Sequence, residues 1–323
     1  MRKNPFSLYD FLGYVFPGLM AIFTICFFYE TKEITGVSSL FYNLLDFVRS
    51  LGGENRSWIE DTIILTIASY VTGHFIAYLS SLTVEQFAIW IYDYPSVFLL
   101  SDVPPYHFWK RGDGSIRDKC LKIFWRCIIA IFLLPITVCT ILIGKFLGVK
   151  YFFVKKLDNH LITAIESNRE LLASYLGVPL TEGSDYHRVV YHYEYEKLDH
   201  HAQKMDNYVA LYGFLRSIIL ICNCVCLWVF LKYVLSSLKY IADFTPDWKA
   251  IFLTLILTII TYIFFMGFMK FYRRFTLESL MCLIIDISYK NAIPTSIPNV
   301  TYSTPITENA NSNITENSNS IVT

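Results

Sequence analysis

One polar stretch gathers four of the 7 histidines, a residue type able to hold a metal: His187, His192, His200 and His201, with Asp185, Asp199 and Asp206. Imidazole and carboxylate suit zinc, which on a helix asks for donors three or four residues apart on one face. His192, Glu196 and His200 meet that spacing at i, i+4 and i+8. They form the candidate metal ladder, without the HExxH order of a metalloprotease; a solvated polar face explains the same residues without a metal. Cys222 and Cys226, four apart with Cys224 pointing away between them, are a candidate soft-metal pair or small packing residues. G-x-S-x-G, P-loop, dinucleotide and paired-carboxylate motifs do not occur. The expectation is a protein without enzymatic activity or cofactor.

Polar residues inside apolar runs are the next candidates. Ser69, Gly73, Ala77 and Ser81 recur every four residues, the small-xxx-small pattern that lets helix backbones approach. His74 stands in the same run, either as a proton switch or as a packing residue against Asn223 or a tyrosine. Thr72 and Ser217, with Asn223 and the stripe of Thr254, Thr258 and Thr261, could line a water path or a helix seam. Arg216 sits at the mouth of its run, where it snorkels or pairs with an acid of the neighbouring polar insert. Every Asp and Glu falls at a flank or in a loop, which argues against a proton-coupled carrier.

What must position these residues is a membrane bundle. The 323 residues are 54% hydrophobic and 17% charged, below the roughly 25% charged of soluble domains, and mean hydropathy is +0.42. The 27 basic and 27 acidic residues cancel, so no direct nucleic-acid binding is expected. Most of the 8 cysteines lie in apolar runs, which speaks for a reducing side rather than a disulfide framework. The fold class is read as an all-α integral membrane protein with four to five transmembrane helices, a helical cytoplasmic insert and a disordered C-terminal tail.

In order, residues 1–83 form a membrane hairpin with spans at 13–29, an uncleaved signal-anchor kinked at Pro17-Gly18, and 63–83. Residues 84–126 are basic and interfacial, and 127–144 is a third apolar run centred on Pro135, a span or a re-entrant segment. The insert covers 145–210 and carries a helix capped near Asp158 or Asn159 and ending near Gly177. Spans at 211–234 and 250–269 form a second hairpin; 270–290 is an amphipathic helix lying on the membrane or docking on the insert, and 291–323 is disordered. Residues 184–234 contain no proline and one glycine, Gly213, so they predict one helix coupling insert to membrane, with Asn207 at its midpoint. Four crossings plus a dip at 127–144 satisfy every basic flank and place both termini and the insert in the cytoplasm.

The stretches YDFLGYVFPG and YVALYGFLRS resemble uncharacterised multi-pass membrane proteins of bacteria, some of which accompany anti-phage and CRISPR-type defence systems. The resemblance implies an inner-membrane effector or sensor that works with a cytosolic partner and permeabilises or depolarises the membrane; it carries over no catalytic residue. Membrane lipids, further copies of the chain and a cytosolic protein are the expected partners. A channel or carrier for a small solute, and a membrane metalloenzyme, are the alternatives.

Overall fold

The computed structural model describes residues 10–29, 46, 57–101, 115–177, 190, 192–193, 199–237 and 248–292. All regular structure among them is helical. Of the expected disordered tail 291–323, the first two residues belong to the last helix, Trp248–Ala292, and the rest lies outside the described residues, as do Glu196 and most of 178–198.

A π-helical turn, Phe11–Val15, leads into α1, Phe16–Tyr29. Its cause is Pro17, which has no N–H to give and whose ring would strike the carbonyl four residues back. The widened turn lets Phe16 N–H reach the Phe11 carbonyl instead. Helix α2, Trp58–Ser80, opens on a capping box: Ser57 N–H donates to the Glu60 carboxylate at 3.1 Å, and Glu60 N–H to the Ser57 hydroxyl. Helices α1 and α2 cross backbone to backbone. A Cβ on Gly18 would fall 1.8 Å from the Ser69 carbonyl oxygen, and one on Gly73 1.9 Å from that of Tyr14.

The second helix does not stop at residue 83. It continues through a π-helical turn, Ser81–Glu85, into α3, Gln86–Tyr92, because nothing between 81 and 92 breaks a helix. Asp93 ends it with φ 66°, its carboxylate accepting Tyr94 N–H at 2.8 Å, and α4, Pro95–Leu100, follows with proline in its first turn. The expected basic segment 84–126 is thus divided: its start belongs to the second helix, 102–114 lies outside the described residues, and its end opens α5, Ile116–Phe132.

Helix α5 meets α6, Leu134–Cys139, and the π-helical turn Thr140–Phe146 at an angle of 93°. The expected run 127–144 is therefore no straight unit. Pro135 removes one backbone donor, and the corner sits at Leu133. The Thr137 hydroxyl donates to the Ala130 carbonyl at 2.9 Å and to that of Leu133 at 3.0 Å. Asn223 Nδ2 reaches across from another helix to the Phe132 carbonyl at 2.9 Å.

Helix α7, Asn159–Leu176, begins after Asp158 and ends on Gly177 in the left-handed conformation, with φ 65°. Two long helices complete the chain: α8, Asp199–Ser237, with 39 residues, and α9, Trp248–Ala292, with 45. At 1.5 Å per residue they run about 58 and 68 Å, twice the roughly 30 Å of a hydrocarbon core. They pack antiparallel, from the Lys204–Glu278 ion pair at 2.8 Å, past Tyr212 against Tyr272, to Cys226 beside Thr261.

No separate helix occupies 270–290. Gly267 alone does not break α9, so that stripe extends the same helix and docks on the insert instead of lying on the membrane. Leu283 packs with Leu172, Ala173, Val190 and Tyr193, and the Tyr193 hydroxyl donates to Asp286 at 2.8 Å.

Exposed apolar side chains form a belt: Ile59, Ile63, Ile67, Val71 and Phe75 run down α2, and Ile251 to Ile263 down α9. Exposed Trp58 and Trp248 mark one end of this belt, and Lys270 and Arg274 the other. Among the described residues three helices are long and apolar enough to cross a membrane: Trp58–Leu100, Gln203–Lys232 and Ile251–Asp286. The bent pair makes a fourth if it counts as one span, and the apolar part of the first helix, Phe11–Cys26, is shorter.

The glycine crossing gives a direct test. Gly18→Leu and Gly73→Leu are expected to abolish the monodisperse peak of detergent-solubilised protein in size-exclusion chromatography. Gly213→Ala, where an added Cβ meets nothing within 4 Å, is expected to keep the peak and raise thermal stability by about 0.5–1 kcal/mol.

Candidate functional site

Arg216 of α8 lies where the polar part of the helix gives way to its apolar part, and α2 and α3 approach it from one side. Its Nη1 donates to Glu85 Oε2, Nε to the Ser80 hydroxyl at 3.1 Å, and Nη2 to the Ala77 carbonyl at 3.3 Å. The Ser81 hydroxyl donates to the same Glu85 oxygen at 3.1 Å. Tyr272 of α9 lies in electrostatic range of both charges, next to Tyr212 and Tyr94. The Arg216 and Glu85 side chains keep only 14% and 19% exposure, so the pair is weakly screened by water.

The π-helical turn 81–85 makes this arrangement possible. It widens the helix where Arg216 arrives and leaves the Ala77 carbonyl within reach of the guanidinium. The expected partner was an acid of the insert; the observed one is Glu85, inside the second helix. The apolar run ends at Thr83, which by spacing alone leaves Glu85 on a flank. The signal that could have found it is the absence of any helix breaker up to Tyr92.

The small-residue face is divided between two neighbours. Ser69 and Gly73 are buried against the first helix, while the Ala77 carbonyl and Ser81 belong to the ion-pair site. His74 is exposed and stacks on Tyr14 at 3.8 Å, with Tyr70 edge-on at 4.5 Å; its neighbours are tyrosines, and Asn223 is engaged at the α5–α6 corner. Thr72 is half-buried. Ser217 is buried and bonds the Gly213 carbonyl at 3.1 Å.

Thr254 and Thr258 are half-buried and Thr261 is fully buried, so the stripe faces the α8–α9 seam. Cys226 sulfur lies 3.9 Å from the Thr258 hydroxyl and 4.0 Å from that of Thr261. Cys224 is exposed on the other side of α8, while Cys222 is half-buried. His192 is exposed, Glu196 lies outside the described residues, and His200 belongs to α8. No group of three His, Cys, Asp or Glu residues placed for a metal occurs among the described residues. Asn207 is exposed on α8 between the insert core and Arg216.

A further polar point escaped the sequence because tyrosines read as apolar there. A Cβ on Gly144 would come within 2.8 Å of the Tyr262 hydroxyl and 3.5 Å of the Tyr92 hydroxyl, so both reach the π-helical turn that follows α6. Tyr262 is buried, and its hydroxyl has no hydrogen-bond partner among the described residues.

Arg216 and Asn223 are seven residues apart, two turns of α8, and so share one face. From that face α8 grips the second helix through Glu85 and the broken helix through the Phe132 carbonyl. No family model, curated protein or solved structure matches this sequence.

Removing one partner of the ion pair leaves the other charge buried. Arg216→Leu is expected to cost roughly 2–3 kcal/mol, less than in a dry interior because both groups keep some exposure. Adding Glu85→Leu should recover most of that loss, and thermal melts of the two single variants and the double variant in detergent measure it. Asn223→Leu strands the Phe132 carbonyl and should cost about 1–3 kcal/mol in the same assay.

Proposed function

We propose that this chain is a non-enzymatic sensor or effector of a bacterial inner membrane, in which a partner or signal at the helical insert is transmitted to the bundle and permeabilises or depolarises the membrane. The carrying observation is the continuity of α8 and α9. Helix α9 runs unbroken from the insert core at Leu283 to the apolar belt, and α8 runs unbroken beside it from the Lys204–Glu278 ion pair, so a tilt or rotation imposed at the insert arrives at Arg216 and Asn223. Released from Glu85, α8 turns relative to α2 and α3 and pulls on the corner that Asn223 holds.

The proposed topology has four crossings, by α1, α2, α8 and α9, with α5 and α6 as a re-entrant pair and both termini and the insert in the cytoplasm. The right-angle bend supports it. Arg117–Phe132 and Leu134–Phe146 reach only about 24 and 20 Å, each short of a roughly 30 Å core. The cations at Lys145, Lys150, Lys155, Lys270, Arg273 and Arg274 then share one side. The resemblance to membrane proteins of anti-phage systems supplies the biological context, with further copies of the chain and a cytosolic protein as partners. A channel for a small solute is the second reading, favoured by the buried Tyr262 and Asn223 oxygens beside the broken helix.

Inducible expression in bacteria with a membrane-potential dye tests the proposal. Arg216→Leu and Glu85→Leu are expected to depolarise cells without a trigger, whereas the intact chain does so only with its neighbouring genes or phage challenge. A Gly-Gly insertion after Asn207 should abolish the triggered response while membrane insertion persists. Unchanged potential and growth under all these conditions would rule the effector role out.

A further inference from the structure

Two basic segments far apart in the chain meet at the insert-side end of the apolar belt. Arg273 Nη2 donates to the Lys155 carbonyl at 3.4 Å, which brings the stretch that carries Lys150 and Lys155 next to the turn of α9 that carries Lys270, Arg273 and Arg274. No carboxylate among the described residues forms an ion pair with any of these five cations. Beside them the chain turns on Gly148, with φ 70°, and presents a tip of large apolar side chains. Phe146 is 89% exposed and Phe152 86%, with Leu147 and Tyr151 exposed next to them, and Lys150 Nζ stands 5.1 Å from the centre of the Tyr151 ring.

Aromatic tips flanked by lysines suit the headgroup layer of a bilayer, where the rings enter the acyl boundary and the ammonium groups meet phosphate. The patch is continuous along the chain with Ile141 and Leu142, which are also exposed. Its cations stand where α9 leaves the apolar belt. A bilayer surface thus accounts for the apolar and the cationic half of the patch together.

We propose that the tip Phe146–Phe152 and the cations Lys150, Lys155, Lys270, Arg273 and Arg274 form a collar that binds the phosphate headgroup of an anionic phospholipid in the insert-side leaflet. This rests on the membrane reading and not on depolarisation. Occupancy anchors the far end of the broken helix to the bilayer while α8 holds its corner through Asn223.

Native mass spectrometry of the full-length protein, released from micelles containing equal phosphatidylglycerol and phosphatidylcholine, is the test. The intact chain should retain the anionic lipid with roughly tenfold preference, as expected when several cations act near one surface. The variant Lys155→Gln/Lys270→Gln/Arg274→Gln, changed only at exposed positions, should fall to near-equal retention. Phe146→Ser/Phe152→Ser should retain less of both lipids, and millimolar inorganic phosphate should displace neither. Equal retention by the intact chain, undiminished preference in the triple variant, or displacement by free phosphate would each overturn the proposal. Thermal melts in phosphatidylcholine nanodiscs check that the variants are folded. A lost lipid preference with unchanged depolarisation would still leave the functional proposal standing, so the two fail separately.

Discussion

A backbone polar group surrounded by hydrocarbon finds no water, so every break in a membrane helix has to be repaired by the protein itself. Among the described residues, three such breaks are repaired in different ways. At Pro17 the preceding turn widens to π geometry and the backbone settles against Gly73. At Ser81–Glu85 a second π-helical turn meets the guanidinium of Arg216. At the 93° corner beside Pro135 the carbonyls of Ala130 and Phe132 are met by Thr137 and Asn223.

Two of those repairs come from α8, which makes it the hub of the bundle. It packs along α9 for most of its length, lies against α1 through Phe214 on Phe16 and Ile218 on Ala21, and supplies Arg216 and Asn223. A helix so placed cannot shift without disturbing several neighbours. The core has the same connectivity: Ile219 and Leu220 of α8, Phe265 and Phe268 of α9, Phe87 of α3, Ile136 of α6 and Ile165 of α7 belong to one buried cluster. Insert and membrane part therefore share a core, and a rigid coupling between them costs no additional structure.

The distribution of charge fits the same scheme. A buried ion pair is a poor source of stability, because desolvation offsets much of the attraction, but it is strongly directional and expensive to break by halves. Arg216 and Glu85 hold one relative orientation of α8 and the second helix, with Tyr272 beside them. Hydroxyl, carbonyl and carboxylate acceptors around the guanidinium offset its loss of water. Such a site fixes the orientation of a packing more than it adds to its strength.

Much of this was legible in the residues. Apolar runs with few charges give helices at membrane depth, a polar run without breakers gives α8, Gly177 ends α7, and Pro135 marks the broken helix, because each depends on near-neighbour sterics and backbone hydrogen bonding alone. The four-residue spacing of small side chains on α2 pointed to a close crossing, though not to Gly18 and Tyr14 as the other side of it. Only the tertiary structure decided which carboxylate meets Arg216, that Asn223 closes the α5–α6 corner rather than facing His74, and that Lys155 lies beside Arg273. These are contacts between residues tens to more than a hundred positions apart. Spacing along the chain carries no information about them, because the position of one helix against another is set by how all the buried faces fit at once.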